Sequence, residues 1–197
     1  RLGLLARAIL GGTPEEAVIR LHGSFAATGE GHGTQRALVG GLIGLPPDDL
    51  RLRHAFDEAE AAGMTYQFET VDLGEDAHPN TAVLSLRSGA EELTVRGASV
   101  GGGRVEITEI DEFPVALGGD YDTLVLVAQD QPGTIATISS IFADEGINLA
   151  TMRVDRTGRH KDALMTMEVD APIPPAALEK IRAHDWLRWA RAVGRID

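Results

Sequence analysis

The stretch DQPGTIATISSIFADEGINLATMRV, Asp130–Val154, decides how the C-terminal part of the chain folds. Pro132 predicts a helix start, because its fixed φ and missing N–H suit a first helical turn. Ile135, Ile138, Ile141 and Phe142 then supply an apolar stripe, and Gly146 predicts the stop. Upstream, Asp122–Ala128 carries the apolar run Leu124–Ala128 of a buried strand. Downstream, Ile147–Val154 reads as a strand, 156–161 as a turn, and Ala163–Val169 as a strand with Met165, Met167 and Val169 on one face. Pro174-Pro175 opens a helix through Leu178 and Ile181, and Trp186–Ile196 offers a last strand. The order β-α-β-β-α-β over residues 121–197 is the ferredoxin-like arrangement.

Leu117-Gly118-Gly119-Asp120 marks the domain boundary, which leaves 1–116 as a separate α+β domain with mixed strands. Leu2, Leu5, Ala6 and Ile9 already lie at helical spacing, so the reading expects an N-terminal segment ahead of Arg1. Gly11-Gly12 ends that helix, Ala17–His22 alternates as a strand, and Gly23–Gly33 reads as a polar loop. Thr34 is placed to cap a helix carrying Leu38, Leu42 and Leu45, which Pro46-Pro47 breaks. A helix over 55–62 closes at Gly63 and precedes a strand over 64–71. Thr81–Arg87 and Glu91–Gly97 form a hairpin through Ser88-Gly89, and Arg104–Ile110 is a further strand.

The 197 residues are 43% hydrophobic, enough for at least one real core, and carry a net charge of −12. That acidity argues against partners that present phosphates, either nucleic acids or anionic membranes. With no cysteine, the chain cannot itself build a disulfide, a zinc–thiolate site or an iron–sulfur centre. Its apolar runs fall short of the ~20 residues that span a bilayer, and no export signal is visible. The expectation is a cytoplasmic protein with no metal site of its own.

Two kinds of candidate site emerge from the residues. Asp130, Gln131, Pro132 and Gly133 stand where a strand becomes a helix, and free N–H groups at a helix start favour anions. Asn148, after Gly146-Ile147, adds an amide that both donates and accepts. Together they suit the carboxylate and amine of an amino acid, with Asp130 on the amine; the plainer reading is a turn capped by Asn148. In the N-terminal half, Ser24, His32 and Thr34 sit on glycine-flanked backbone, and His78 and Asn80 flank a rigid Pro79. They could orient a small polar substrate, or simply be a helix cap, a turn residue and solvated loop side chains.

The segment Asp130–Val154 resembles an ACT domain, a regulatory module that binds amino acids between paired copies. The resemblance implies a ligand loop of Asp130, Gln131, Pro132 and Gly133 with Asn148, and a homodimer formed through this domain. The ordered motifs His22-Gly23-Ser24-Phe25-Ala26, Gly31-His32-Gly33-Thr34, His78-Pro79-Asn80-Thr81 and Ser99-Val100-Gly101-Gly102-Gly103 extend it. With an ACT module behind them, they are similar to the β subunit of the iron–sulfur-dependent L-serine dehydratase (L-serine ammonia-lyase) family. That likeness implies a serine dehydratase β domain, related to the allosteric substrate-binding domain of some phosphoglycerate dehydrogenases, followed by the ACT domain. It implies that Ser24, His32, Thr34, His78 and Asn80 face an α subunit whose cysteines hold a 4Fe-4S cluster. L-serine is then substrate or regulator, the products are pyruvate and ammonia, and the metabolic context is amino-acid metabolism and gluconeogenesis. The chain is not expected to be active alone. One departure is plain: the family's Ser-Ser-Ser-His-Thr loop, which normally precedes the first helix, is absent from this sequence.

Two alternatives belong to other classes, a stand-alone amino-acid sensor and the detached regulatory half of a phosphoglycerate dehydrogenase. Against the latter, Gly101-Gly102-Gly103 precedes a strand instead of opening a helix, so no nucleotide fingerprint is present. Asp57, Glu58 and Glu60 read as a solvated helix face. Arg182, Arg188, Arg191 and Arg195 read as balance for the acidic surface, and Trp186 and Trp189 as packing residues.

Overall fold

The computed structural model describes residues 1–156, 158 and 161–196. The chain divides into two compact units, Arg1–Asp111 with Ala116–Gly118, and Glu112–Val115 with Gly119–Asp197. The architecture is α+β in both.

In the N-terminal unit, α1 (Leu2–Leu10) buries Leu2, Leu5, Ala6 and Ile9 and ends where Gly11 turns left-handed, at φ 97°. Strand β1 (Glu16–Leu21) buries Ala17, Ile19 and Leu21 on one face. Helices α2 (Gly23–Thr28) and α3 (Thr34–Leu42), a 3-10 turn (Leu50–His54) and α4 (Ala55–Ala61) follow. Next come β2 (Thr65–Thr70), β3 (Thr81–Ser88), β4 (Glu91–Gly101), β5 (Arg104–Ile110) and β6 (Phe113–Leu117), of which Ala116 and Leu117 belong to this unit. The sheet order is β2-β1-β3-β4-β5-β6, with β1 parallel to β2 and antiparallel to β3. Helices α1 and α3 cross closely. A Cβ on Gly3 would stand 2.4 Å from the Leu38 carbonyl oxygen, and one on Gly41 2.8 Å from the Leu4 nitrogen, so both positions need glycine.

The C-terminal unit contains β7 (Asp122–Gln129), α5 (Thr134–Asp144), β8 (Leu149–Arg156), β9 (Asp162–Val169), α6 (Pro175–Arg182) and β10 (Leu187–Val193). Its sheet order, β10-β7-β9-β8, with β7 antiparallel to both neighbours, is that of the ferredoxin-like fold. Leu124, Leu126, Met165, Met167, Ile138, Phe142, Ile181 and Trp186 fill its core. Trp186 also stacks on His184 with ring centroids 4.8 Å apart. Arg182 pairs with Glu179 and Arg188 with Asp162, as expected of charges that balance an acidic surface.

The structure corrects several local expectations. The loop foreseen over 23–33 contains the helix α2, too short to show a periodicity. Thr34 does not cap α3; left-handed Gly33 holds that position, and the Thr34 N–H is already taken by the Gly29 carbonyl (2.8 Å). Pro132 does not open α5, because Gly133 at φ 96° interrupts helical geometry and the helix begins at Thr134. The buried face of α5 is Thr134, Ile138, Ile141 and Phe142, so Ile135 lies 40% exposed, off the stripe. Strand β8 begins two residues later than expected, at Leu149, and β6 was not foreseen. Pro114 interrupts the sequence pattern of β6, but an edge strand tolerates it. The turn expected over 156–161 falls largely on 157, 159 and 160, outside the described residues.

Candidate functional site

Strand β1 runs out at Leu21, and the next residues turn against the β2–β3 connection. The His22 N–H donates to the Thr81 carbonyl (3.0 Å), and the Phe25 N–H faces the Pro79 carbonyl (3.4 Å). Gly23 lies between these contacts with φ 57°, and a Cβ there would stand 2.6 Å from the Pro79 oxygen and 2.8 Å from its Cα. Only glycine lets the two segments touch so closely. Ser24, exposed on the first turn of α2, is thereby held beside the His78-Pro79-Asn80 segment. The Asn80 carbonyl accepts from the Ser99 N–H (3.0 Å), which ties the end of β4 into the same cluster.

Thr34 joins this cluster through a cavity. A space of about 330 Å³ is lined by Phe25, Thr34, Ala37, Leu38, Ser99 and Val105, among others. That volume lies in the range of small-molecule sites, and its polar groups are few, as is usual there. His32 stands on the turn between α2 and α3, exposed, with its side chain bonded to Thr28 of the preceding turn.

The two exposed imidazoles present opposite faces. His32 Nδ1 lies 2.9 Å from the Thr28 carbonyl oxygen, which can only accept, so this nitrogen carries the proton and Nε2 of the neutral ring is an acceptor. At His78 the Asn80 N–H donates to Nδ1 (3.1 Å), which leaves the proton of the neutral ring on Nε2. These tautomers follow from the hydrogen-bond partners. The two rings thus differ in what they present, one an acceptor and the other a donor at Nε2. The Thr81 hydroxyl donates to the His78 carbonyl (2.6 Å) and secures the turn beneath it.

In the C-terminal unit the expected ligand residues are already engaged. The Asp130 carboxylate accepts from Arg156 Nη1 (2.9 Å), and the Asp130 N–H donates to the Lys161 carbonyl (2.8 Å). The Gln131 carbonyl accepts from the Thr134 hydroxyl (3.2 Å), and no side chain caps α5. Asn148 donates its side-chain amide to Asp170 (2.5 Å) and accepts the Asp170 N–H at its carbonyl (3.2 Å). One oxygen of Asp130 and the amide nitrogen of Asn148 are thus shared with Arg156 and Asp170.

A resident iron–sulfur cluster does not fit this chain, which has no cysteine thiolate to ligate it. Among the described residues no group of three or more His, Asp or Glu side chains is arranged to hold a metal ion either. Nor is any helix of these residues long and apolar enough to cross a membrane.

Backbone contacts of Gly23 and Phe25 with Pro79, and of Ser99 with Asn80, bring the start of α2 and the end of β4 to the segment 78–80, whereas the cavity at Thr34 is lined by Phe25 and Ser99 but not by Ser24, His32, His78 or Asn80. Sequence reasoning assigned no role to His22 or Ser99. His22 is only 8% exposed, and its Nδ1 accepts the Leu73 N–H at 3.2 Å. In sequence it continues the outward alternation of Val18 and Arg20, so nothing local signals its burial.

Comparison with known proteins places the chain in a family. The serine dehydratase beta chain pattern matches residues 5–74, and the ACT domain pattern matches residues 123–185. The chain is 38% identical over 181 residues to the probable L-serine dehydratase beta chain of Bacillus subtilis (strain 168), covering 92% of this chain and 82% of that one. It is 35% identical to the L-serine dehydratase beta chain of Peptoniphilus asaccharolyticus, covering 88% and 78% respectively. A D-3-phosphoglycerate dehydrogenase of Synechocystis sp. is 29% identical across 98% of this chain, which spans only 35% of that enzyme. The two beta chains match this chain over most of their own length, and on that ground the chain belongs to the L-serine dehydratase beta chain family.

Proposed function

We propose that this chain is the accessory β subunit of an L-serine ammonia-lyase, and that it shapes one side of a site completed by a cysteine-bearing α chain. The observation that supports this reading is the close approach of Gly23 to Pro79, which joins the loop of Ser24 to the segment of His78 and Asn80 on a chain without thiolates. In the overall reaction L-serine loses water, and the resulting enamine hydrolyses to pyruvate and ammonia. Any iron–sulfur cluster is held by the partner's cysteines. On this side, Ser24, Thr34 and Asn80 hydrogen-bond and orient the zwitterion. His32 Nε2 is suited to accept a proton and His78 Nε2–H to donate one.

The C-terminal domain regulates. Asp130, Gln131, Pro132, Gly133 and Asn148 form its amino-acid loop, with L-serine as the ligand. Two copies pair through β8, whose outer edge is unpaired in the sheet and whose Met152 and Val154 are 41% and 37% exposed. The assembly works in the cytoplasm, in amino-acid metabolism that feeds pyruvate towards gluconeogenesis.

Co-elution tests the subunit reading. The chain, mixed with a cysteine-bearing L-serine dehydratase α chain, is expected to elute from a sizing column as one complex that releases pyruvate from L-serine. Separate elution with no added turnover would contradict it.

A further inference from the structure

We propose that His22, a residue outside the set named above, is a positioning residue that pins the β2–β3 connection and so sets the place of His78 and Asn80. The inference rests on the reading of this site as one that handles serine, and goes beyond it by assigning the part that holds it together. Residues 71–80 contain no regular element, yet they carry two of the five candidate site residues. Their bonds to neighbouring elements lie at the two ends of the segment. The Val71 N–H donates to the Leu21 carbonyl (2.9 Å), the Leu73 N–H to His22 Nδ1 (3.2 Å), and Thr81 accepts the His22 N–H (3.0 Å). Two of these three bonds are made by His22, one from its ring and one from its backbone, while Phe25 and Ser99 hold only the backbone carbonyls of Pro79 and Asn80.

The ring bond differs in kind from the backbone bonds. It reaches 51 residues along the sequence, and an imidazole that is 8% exposed has little water to substitute for it. Without the ring acceptor, the Leu73 N–H must find another partner or go unsatisfied. Nδ1 also lies 3.3 Å from the Val71 carbonyl oxygen, so it stands between a donor and an acceptor. Accepting from Leu73 requires Nδ1 to be unprotonated, with the neutral ring's proton on Nε2. His22 therefore acts through the connection and not on the substrate.

Three replacements separate this role from bulk. His22→Asn places its amide oxygen where Nδ1 stands and keeps an acceptor for Leu73. His22→Gln moves the amide one bond further out, and His22→Phe keeps the ring shape without an acceptor. Hydrogen exchange on the chain alone reads the pin directly. Faster exchange at Leu73, His78 and Asn80 is expected in the Gln and Phe variants, with near wild-type protection in Asn. With the partner chain present, the Gln and Phe variants are expected to lose about fivefold in kcat/KM for L-serine, and Asn is expected to restore it. Should the Phe variant fail to fold, the contrast between Asn and Gln carries the test.

Unchanged exchange at these amides in Gln would overturn the pin. Faster exchange with unchanged kcat/KM, or an equal loss in Asn and Gln, would overturn the positioning role. A wild-type pair that turns over no serine would defeat the functional reading instead, and the exchange data would still decide whether His22 holds the connection.

Discussion

Gly23 and Pro79, 56 positions apart in sequence, meet backbone to backbone: a Cβ on Gly23 would lie 2.6 Å from the Pro79 carbonyl oxygen. This approach brings the start of α2 to the turn ahead of β3, and the candidate site depends on it. Gly23→Ala would meet both this clash and the strain of a side chain at φ 57°. The variant is expected to lose about 2 kcal/mol of stability, read from urea or thermal unfolding, and to lose turnover with the partner chain even where it remains folded.

His32→Ala should separate function from stability. The ring is exposed and, among the described residues, bonded only to the Thr28 carbonyl, so unfolding curves are expected to coincide with wild type within about 0.5 kcal/mol. Serine turnover in the reconstituted pair is expected to fall at least about tenfold, as for loss of a proton acceptor. An unchanged rate would remove His32 from the site.

Asn148→Ala probes the regulatory loop. Calorimetry is expected to show heat on titrating L-serine into the wild-type chain and none into the variant, because the amide that would bind the ligand is gone. Arg156→Ala should act in the opposite direction, since Arg156 competes for the Asp130 carboxylate at 2.9 Å. Tighter serine binding in that variant is the expected result.

Val154→Lys on the outer strand β8 puts a charge on the face proposed to pair. Sedimentation is expected to shift from dimer to monomer with little change in the melting curve, because Val154 is 37% exposed in the single chain.

Asp49 gives a pH signature in the N-terminal unit. The guanidinium of Arg51 and the Arg51 N–H both donate to its carboxylate and hold its pKa below the usual carboxylate value. A lowered folded-state pKa stabilises the protein above the unfolded value and loses that contribution as pH falls through the folded one. The stability difference between wild type and Asp49→Asn is therefore expected to be present at pH 7 and to shrink below pH 3.8. As the pair lies at the surface, with the Arg51 side chain largely exposed, the effect is small, so paired urea melts at pH 7 and pH 2.5 are the suitable comparison.

Much of the fold was legible because its signals are local. The alternation in β1 and the stripe Leu2-Leu5-Ala6-Ile9 each lie within one element, and the turn Ser88-Gly89 joins two strands that are adjacent in sequence. The strand β6 was not legible because Pro114 masks a run that an edge position permits. The glycine and proline frames around Ser24, Thr34, His78 and Asn80 were visible in sequence. What joins them was not, since the contacts of Gly23 with Pro79, Asn80 with Ser99 and His22 with Leu73 all run between distant elements. The same holds for Asp130 and Asn148, whose partners Arg156 and Asp170 lie 26 and 22 residues away.

Division of labour between two chains is tested most directly by titration. With a fixed amount of cysteine-bearing α chain and saturating L-serine, pyruvate release is expected to rise with added β chain and to level off at a fixed stoichiometry, while the β chain alone releases none. A rate indifferent to the β chain, or serine deamination by the β chain unaided, would contradict the account.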